Sequence, residues 1–198
     1  MELRRRIITT FYRRMVVVTK NAEPDAPRVA PSIDAEIRIL AEPDLVPYQA
    51  FKPFQPIEEV RDRMAQGHLC FAAFHDGRIV HAGWSAKGRA HIPYIHSDIL
   101  LPARAFYIYD SYTDPAFRRS GLVMARSAAM HEYFASHGFE KSYGVVARMN
   151  RAGTAVLDPS GYRRIGMYGC IRLGPLRHTW ADPDAVEPLP RLAPHEPG

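Results

Sequence analysis

YIYDSYTDPAFRRSGLV, residues 107–123, is the stretch from which the rest of this chain is best read. Its first seven residues are mostly aromatic or β-branched, as in a strand. Asp114-Pro115 breaks that run. Two arginines and a glycine then lead into an apolar pattern of helical spacing. A strand, a tight turn and a helix start in that order aim several backbone N–H groups and the positive helix end at one point. Such a point holds an anion, and a diphosphate is its natural guest. Arg118 and Arg119 oppose the helix dipole, so an anion between them explains their position better than a solvated helix terminus does.

Outward from this stretch the elements alternate. Arg119 to His137 places Leu122, Met124, Ala125, Ala128, Ala129 and Phe134 on one helical face, closed by Gly138. Lys141 to Met149 reads as a strand, Thr154 to Pro159 as one or two helical turns, and Tyr162 to Leu173 as a strand or hairpin with bends at Gly166 and Gly169. Upstream, Leu69 to Phe74 and Arg78 to Trp84 flank Asp76-Gly77, a strong hairpin signal. Pro56 to Gln66 predicts a helix stopped at Gly67. The three prolines between Glu42 and Gln55 predict only a short or broken helix. Ala35 to Leu40 reads as a strand. Ile7 to Lys20 reads as one long strand or a strand pair, and Asn21 to Ser32 as a linker. Gly88 to Pro102 has no periodicity. The tail from Pro175 is rich in proline and polar residues, and Ala181 to Gly198 is expected to be largely extended or mobile. This mixture predicts an α/β, or α+β, sheet covered by helices.

The composition sets outer bounds. The chain has 198 residues, 46% hydrophobic and 24% charged, which suits one soluble domain with a sizeable core. No apolar run reaches the roughly 20 residues of a membrane span. The arginines that break the N-terminal apolar runs argue against a secretory signal, so a cytoplasmic protein is expected. Cys70 and Cys170 are then two reduced thiols in apolar strands. No Cys/His spacing typical of zinc occurs, so no metal is expected. The net charge of +5 favours anionic ligands. Its arginines are scattered, with no basic helix or aromatic RNA-binding signature, so nucleic acid is not the expected partner. The run Met15-Val16-Val17-Val18 is either an exposed strand able to pair a homodimer or an internal strand.

Pro115 to Val123 resembles motif A of the GNAT acetyltransferase superfamily: an Arg or Gln, two residues, Gly, one residue, then Gly or Ala. Arg118 and Gly121 fill the first two positions, and Val123 departs from the third. Asn150 to Met167, NRAGTAVLDPSGYRRIGM, resembles motif B, with Gly161-Tyr162 for the usual Gly-Phe. With Ala35 to Asp44 as the first family strand and turn, and the Leu69 to Trp84 hairpin as the next two, the resemblance covers roughly residues 35 to 174. It implies a GNAT-like mixed, mostly antiparallel sheet with helices on both faces. Residues 1 to 34 would be an N-terminal strand extension and linker, and residues 175 to 198 a tail.

The resemblance also implies chemistry. Acetyl-CoA would lie with its diphosphate on Arg118, Arg119, Ser120, Gly121, Leu122 and Val123. Its pantetheine arm would run along Ser111, Tyr112 and Thr113, with Asn150 facing it. An amine of a small molecule or sugar would attack the thioester directly. Asp110, three residues before Thr113, is the candidate base acting through water, or else a structural carboxylate. His91, Tyr94 and His96 would line the acceptor pocket, or else be solvated loop or core residues. The Tyr that many members place four residues before the motif-B Gly is Leu157 here. Tyr162 or Tyr168 would have to replace it, or the protein binds CoA with little or no turnover.

Overall fold

The computed structural model describes residues 12–23, 30–155, 157–173 and 176–195. In chain order its elements begin with β1 (Tyr12–Asn21), β2 (Glu36–Ile39), α1 (Leu45–Phe51), α2 (Ile57–Ala65), β3 (Leu69–His75) and β4 (Arg78–Lys87). They continue with β5 (Arg89–Ile92), β6 (Ser97–Leu100), β7 (Ala105–Thr113), α3 (Leu122–Ser136) and β8 (Lys141–Ala147). The last are α4 (Arg151–Ala155), β9 (Arg163–Leu173), β10 (Leu176–Ala181) and β11 (Arg191–Pro194). They group into two units that are each discontinuous in sequence. The first is Asn21–Lys87 with Phe106–Ser142; the second is formed by the described residues of Met1–Lys20, Gly88–Ala105 and Tyr143–Gly198.

In the first unit the strands run β7-β4-β3-β2, every neighbouring pair antiparallel. Asp76 and Gly77 make the turn between β3 and β4 with φ of 48° and 72°, the pair of positive values a two-residue hairpin turn needs. Strand β3 reads as almost unbroken apolar sequence because both its faces are covered. Cys70, Ala72 and Phe74 pack with Ala82 and Trp84 against Leu45, Tyr48 and Val60 of α1 and α2. Phe71 points the other way, to Met130 and Phe134 of α3, and Ala73 and Val80 meet Leu122 at the start of that helix. Helices therefore cover both faces of this sheet, as expected. Phe106 and Phe134 stack with ring centroids 4.0 Å apart. Helix α2 follows Pro56 and carries Glu58 and Glu59 in its first turn and Arg63 in its last, charges that complement its dipole.

In the second unit one sheet has the order β10-β9-β1-β8 and a smaller one β11-β6-β5. Strand β1 lies between β9 and β8, with Met15, Val17 and Val18 buried. Of the two expectations for this run, the internal strand is therefore the one realised. Its backbone is already paired, which removes the exposed edge a homodimer would have used.

Three expectations need correction. Gly88 to Pro102, which has no sequence periodicity, is the β5–β6 hairpin. Its four-residue strands are too short for alternation to stand out. The tail is ordered where it is described: β10 pairs with β9, and β11 with β6. Among the described residues, its prolines sit between these strands or, at Pro194, at the end of one. The short helix is α4, at Arg151–Ala155 rather than Thr154 to Pro159, because Asn150 caps it. Of the two readings of Tyr162 to Leu173, the single strand is the one realised, as β9. The readings at Ile7 to Phe11 and across 24–29 lie outside the described residues. Both cysteines are free and buried, and burial pushes the Cys70 thiol up to about 12.

Candidate functional site

The centre of the first unit is an irregularity between β4 and β7. Trp84 pairs with Tyr109 and Ala82 with Tyr112, so Asp110 and Ser111 together face Gly83 alone. This is a β-bulge, a device that re-aims side chains beside functional sites. Asp110 takes a φ of 49° there, which costs a non-glycine residue about 1 to 2 kcal/mol. Ion pairs offset that cost. Lys52 Nζ lies 2.7 Å from Asp110 Oδ1, and Arg63 Nη1 lies 2.6 Å from Oδ2. The Lys52 side chain is only 3% exposed, so the carboxylate is the counter-charge of a buried ammonium. Arg63 also lies over the rings of Trp84 and Tyr109, 5.3 Å from each centroid.

Around this triad is an aromatic wall. Trp84 Nε1 donates to Tyr48 Oη across 2.8 Å, and Tyr48 donates to Gln55 Oε1 across 3.0 Å. Burial pushes the Tyr48 and Tyr109 hydroxyls above their ordinary range. His68 Nδ1 meets Tyr109 Oη at 2.6 Å, and burial followed by the Arg63 charge holds its imidazole below its ordinary value. Tyr112 packs between Phe51 and Phe54, at 5.3 and 5.9 Å, and Phe54 is 69% exposed. The Lys52 ammonium lies 5.5 Å from the Phe54 ring centroid.

Gly83 also makes room on the opposite face of the sheet. A Cβ there would come within 2.8 Å of the Arg126 guanidinium. Arg126, on α3 and buried, donates from Nε to His81 Nε2 across 2.9 Å. Nε2 therefore accepts, the imidazole proton sits on Nδ1, and Nδ1 donates to Thr113 Oγ1 at 2.8 Å. Burial, then the Arg126 charge, hold His81 well below its ordinary value, so it is neutral. The Thr113 hydroxyl accepts from His81 and keeps its own proton to donate outward.

Beyond Thr113 the loop is built for N–H display. Asp114 Oδ1 accepts from Ala116 N at 2.9 Å and caps a single 3₁₀ turn, Pro115–Phe117. Ser120 Oγ donates to Phe117 O across 2.6 Å, and Ser120 O accepts from Ser32 N at 2.8 Å. Arg119 and Gly121 have φ of 67° and 79°. Gly121 caps α3 in this left-handed region, where a side chain would be strained. Among the described residues, the backbone N–H groups of Arg119, Ser120, Gly121, Leu122 and Val123 meet no acceptor. Val123 keeps its N–H in spite of its larger side chain. A separate groove of about 680 Å³ runs along α3 past Ala125, Ala129 and Tyr133. Its walls are mostly apolar, and it lies away from the Asp110 carboxylate.

Asp110, Ser111, Tyr112, Thr113 and residues 118 to 123 thus share the first unit. Asn150, His91, Tyr94 and His96 belong to the second. There, Asn150 Oδ1 accepts from Gly153 N at 2.9 Å, capping α4. His91 is engaged with Asp98 at 2.9 Å. Arg13 lies 4.6 Å over the Tyr94 ring. His96 is exposed, with φ of 49° in the hairpin turn. Leu157 is buried, and Tyr168, one of its two substitutes, is buried with its hydroxyl donating to Pro190 O at 2.6 Å. Lys52, Arg63, His81 and Arg126 were missed in the sequence, where each looks like an ordinary surface charge. The glycine at Gly83, inside an apolar strand, was the one available sign of a close approach.

No protein-family model matches the chain, and no curated protein does. Solved structures do. A GNAT-family acetyltransferase from Colwellia psychrerythraea matches with a TM-score of 0.56 and 12% identity, over 77% of this chain and 53% of its own. The aminoglycoside antibiotic 6′-N-acetyltransferase AAC(6′)-Ih from Acinetobacter baumannii matches with 0.55 and 14%, over 66% of this chain and 92% of its own. The fold is that of the GNAT acetyltransferases. AAC(6′)-Iy, solved in complex with the bisubstrate analog CoA-S-monomethyl-acetylneamine, matches with 0.54 and 14%, over 66% and 92%. The chain spans 65% and 52% of the length of two further matches. No helix among the described residues is long and apolar enough to cross a membrane.

Proposed function

We propose that this protein is an acetyl-CoA-dependent N-acyltransferase whose acceptor is an amine of a small molecule or sugar. The observation that carries this reading is the run of unsatisfied N–H groups from Arg119 to Val123 at the start of α3, on a GNAT fold. These donors, with the Arg118 and Arg119 guanidinium groups, fit a diphosphate. Bound there, acetyl-CoA supplies an activated acyl group whose C–S bond breaks as the amine's C–N bond forms, the amine proton balancing the thiolate charge. Thr113, oriented by His81, presents a hydroxyl proton toward the pantetheine arm. Asp110, fixed by Lys52 and Arg63, keeps lone pairs that can accept from the acceptor's ammonium or from a water that carries its proton away. The aromatic surface of Phe54 and Tyr112 would flank that amine.

The test is thermal unfolding with and without millimolar acetyl-CoA, followed by thiol release against an amine panel. A raised Tm with release supports the reading, and no shift overturns it. A second reading has an observation of its own: Leu157 is buried where the family's Tyr stands, and Tyr168 is committed to Pro190. A CoA-binding protein without turnover predicts the same shift and no thiol release.

A further inference from the structure

The second unit holds a constellation that the acyl-transfer reading does not use. Strands β5 and β6 place His91 directly opposite Asp98. Strand β11 pairs on the other side of β6, with Ala193 opposite Asp98. Two residues further on, His195 returns to the face on which Asp98 lies. The result is two imidazoles, 104 residues apart in sequence, aimed at one carboxylate oxygen. His91 Nδ1 and His195 Nδ1 each lie 2.9 Å from Asp98 Oδ1. The three donor atoms all fall within 4.8 Å of one another. The two rings overlap, with centroids 3.7 Å apart.

The rest of the cluster is arranged around that point. Asp98 is buried. Arg89 Nε donates to its other oxygen, Oδ2, across 2.7 Å, and Arg89 also donates to Pro194 O across 3.0 Å. Oδ2 is thereby fixed and Oδ1 is left for the imidazoles. Neither His91 nor His195 has a partner for Nε2 among the described residues. Both rings are partly open to solvent, which gives an ion a way in and leaves positions for water.

We propose that His91, Asp98 and His195 form a divalent transition-metal site, with zinc the natural occupant. Two imidazole nitrogens and one carboxylate oxygen are a borderline donor set of the kind Zn²⁺, Co²⁺ and Ni²⁺ accept. A metal replaces the two protons that otherwise lie between the nitrogens and Oδ1. Donor atoms on a tetrahedral zinc are about 3.3 Å apart when each bond is about 2.0 to 2.1 Å. The 2.9 Å separations from Oδ1 therefore need to open by a few tenths of an ångström, and the two rings, now 3.7 Å apart between centroids, must splay so that both planes meet at the ion. Arg89 is the outer partner that orients the carboxylate. Its positive charge works against the ion, so micromolar rather than nanomolar affinity is expected. The bound ion would tie β11 to β5 and β6, closing the smaller sheet.

The experiment uses the full chain, without an affinity tag, stripped of metal by a chelator and then titrated with Co²⁺ alone and Zn²⁺ alone. The expected result is one equivalent of Co²⁺ per chain, with visible d–d absorption that Zn²⁺ abolishes by displacement. His195→Ala, at the edge of the sheet where folding is least at risk, should weaken binding at least tenfold, and so should His91→Ala. Circular dichroism confirms that each variant is folded. Binding that does not saturate below millimolar metal overturns the proposal. So does binding undiminished in the folded double variant, which would place the ion elsewhere. None of these outcomes depends on acetyl-CoA or on turnover.

Discussion

Arg126 Nε donates across 2.9 Å to His81 Nε2, and both side chains are buried. The bond fixes which imidazole nitrogen carries the proton and so fixes Thr113 at the rim of the proposed cofactor groove. Because burial and the Arg126 charge depress the His81 pKa in the folded state, protons bind preferentially to the unfolded chain as the pH falls. The contribution of neutral His81 is complete above its unfolded value, about 6.5, and is lost on descending from there toward the folded value. Unfolding measured from about pH 7 to about pH 5 should therefore lose up to about 1.4 kcal/mol per pH unit through this one group. His81→Gln keeps an acceptor for Arg126 and should flatten the slope. An unchanged slope in that variant would assign the effect to another group.

Gly83 and Arg126 are coupled by space. Gly83→Ala forces a Cβ to within 2.8 Å of the guanidinium, and overpacking of this kind costs about 1 to 3 kcal/mol. Arg126→Met withdraws the obstacle, so the double variant should lose less than the sum of the single losses in urea unfolding. Strict additivity would mean that the clash is relieved some other way.

Asp110 serves both stability and the proposed chemistry, and one variant separates the two. Asp110→Asn leaves Lys52 buried without its carboxylate. Loss of a buried pair costs about 3 to 5 kcal/mol, and the partial exposure of Asp110 reduces that to about 1 to 3 kcal/mol here. If the carboxylate also receives or orients the amine, kcat/KM should fall by about 100-fold or more at a temperature where the variant is fully folded. A lowered Tm with kcat/KM within a few-fold of wild type would leave Asp110 a structural residue.

Arg118 and Arg119 are exposed and make no contact on which folding depends. Replacing both with Ala should shift stability by no more than about 0.5 kcal/mol. Acetyl-CoA affinity, measured by calorimetry, should drop about tenfold or more and become less sensitive to salt. Unaltered affinity would leave the N–H groups as the whole of the anion site.

The legible parts of this protein are those written in local chemistry. Asp76-Gly77 could only be a hairpin, since few other pairs take two successive positive φ values. Gly121 after Arg118 and before an apolar helical stripe set both the loop and the start of α3. The β5–β6 hairpin was illegible because four residues are too few for alternation to show. The tail was misread because proline content says where a strand cannot continue, not where it begins.

By itself the sequence determined the central hairpin, the strand after it and the glycine-led turn into α3, because turn stereochemistry and hydrophobic period act within a few residues. Only the tertiary structure decided what Asp110 and His91 face. Lys52 reaches Asp110 across 58 residues and Arg63 across 47, and His195 reaches Asp98 across 97. Those meetings follow from strand register and from which helix lies on which face. No short window of sequence contains both partners, so the charge that each carboxylate neutralises is visible only when the sheets are assembled.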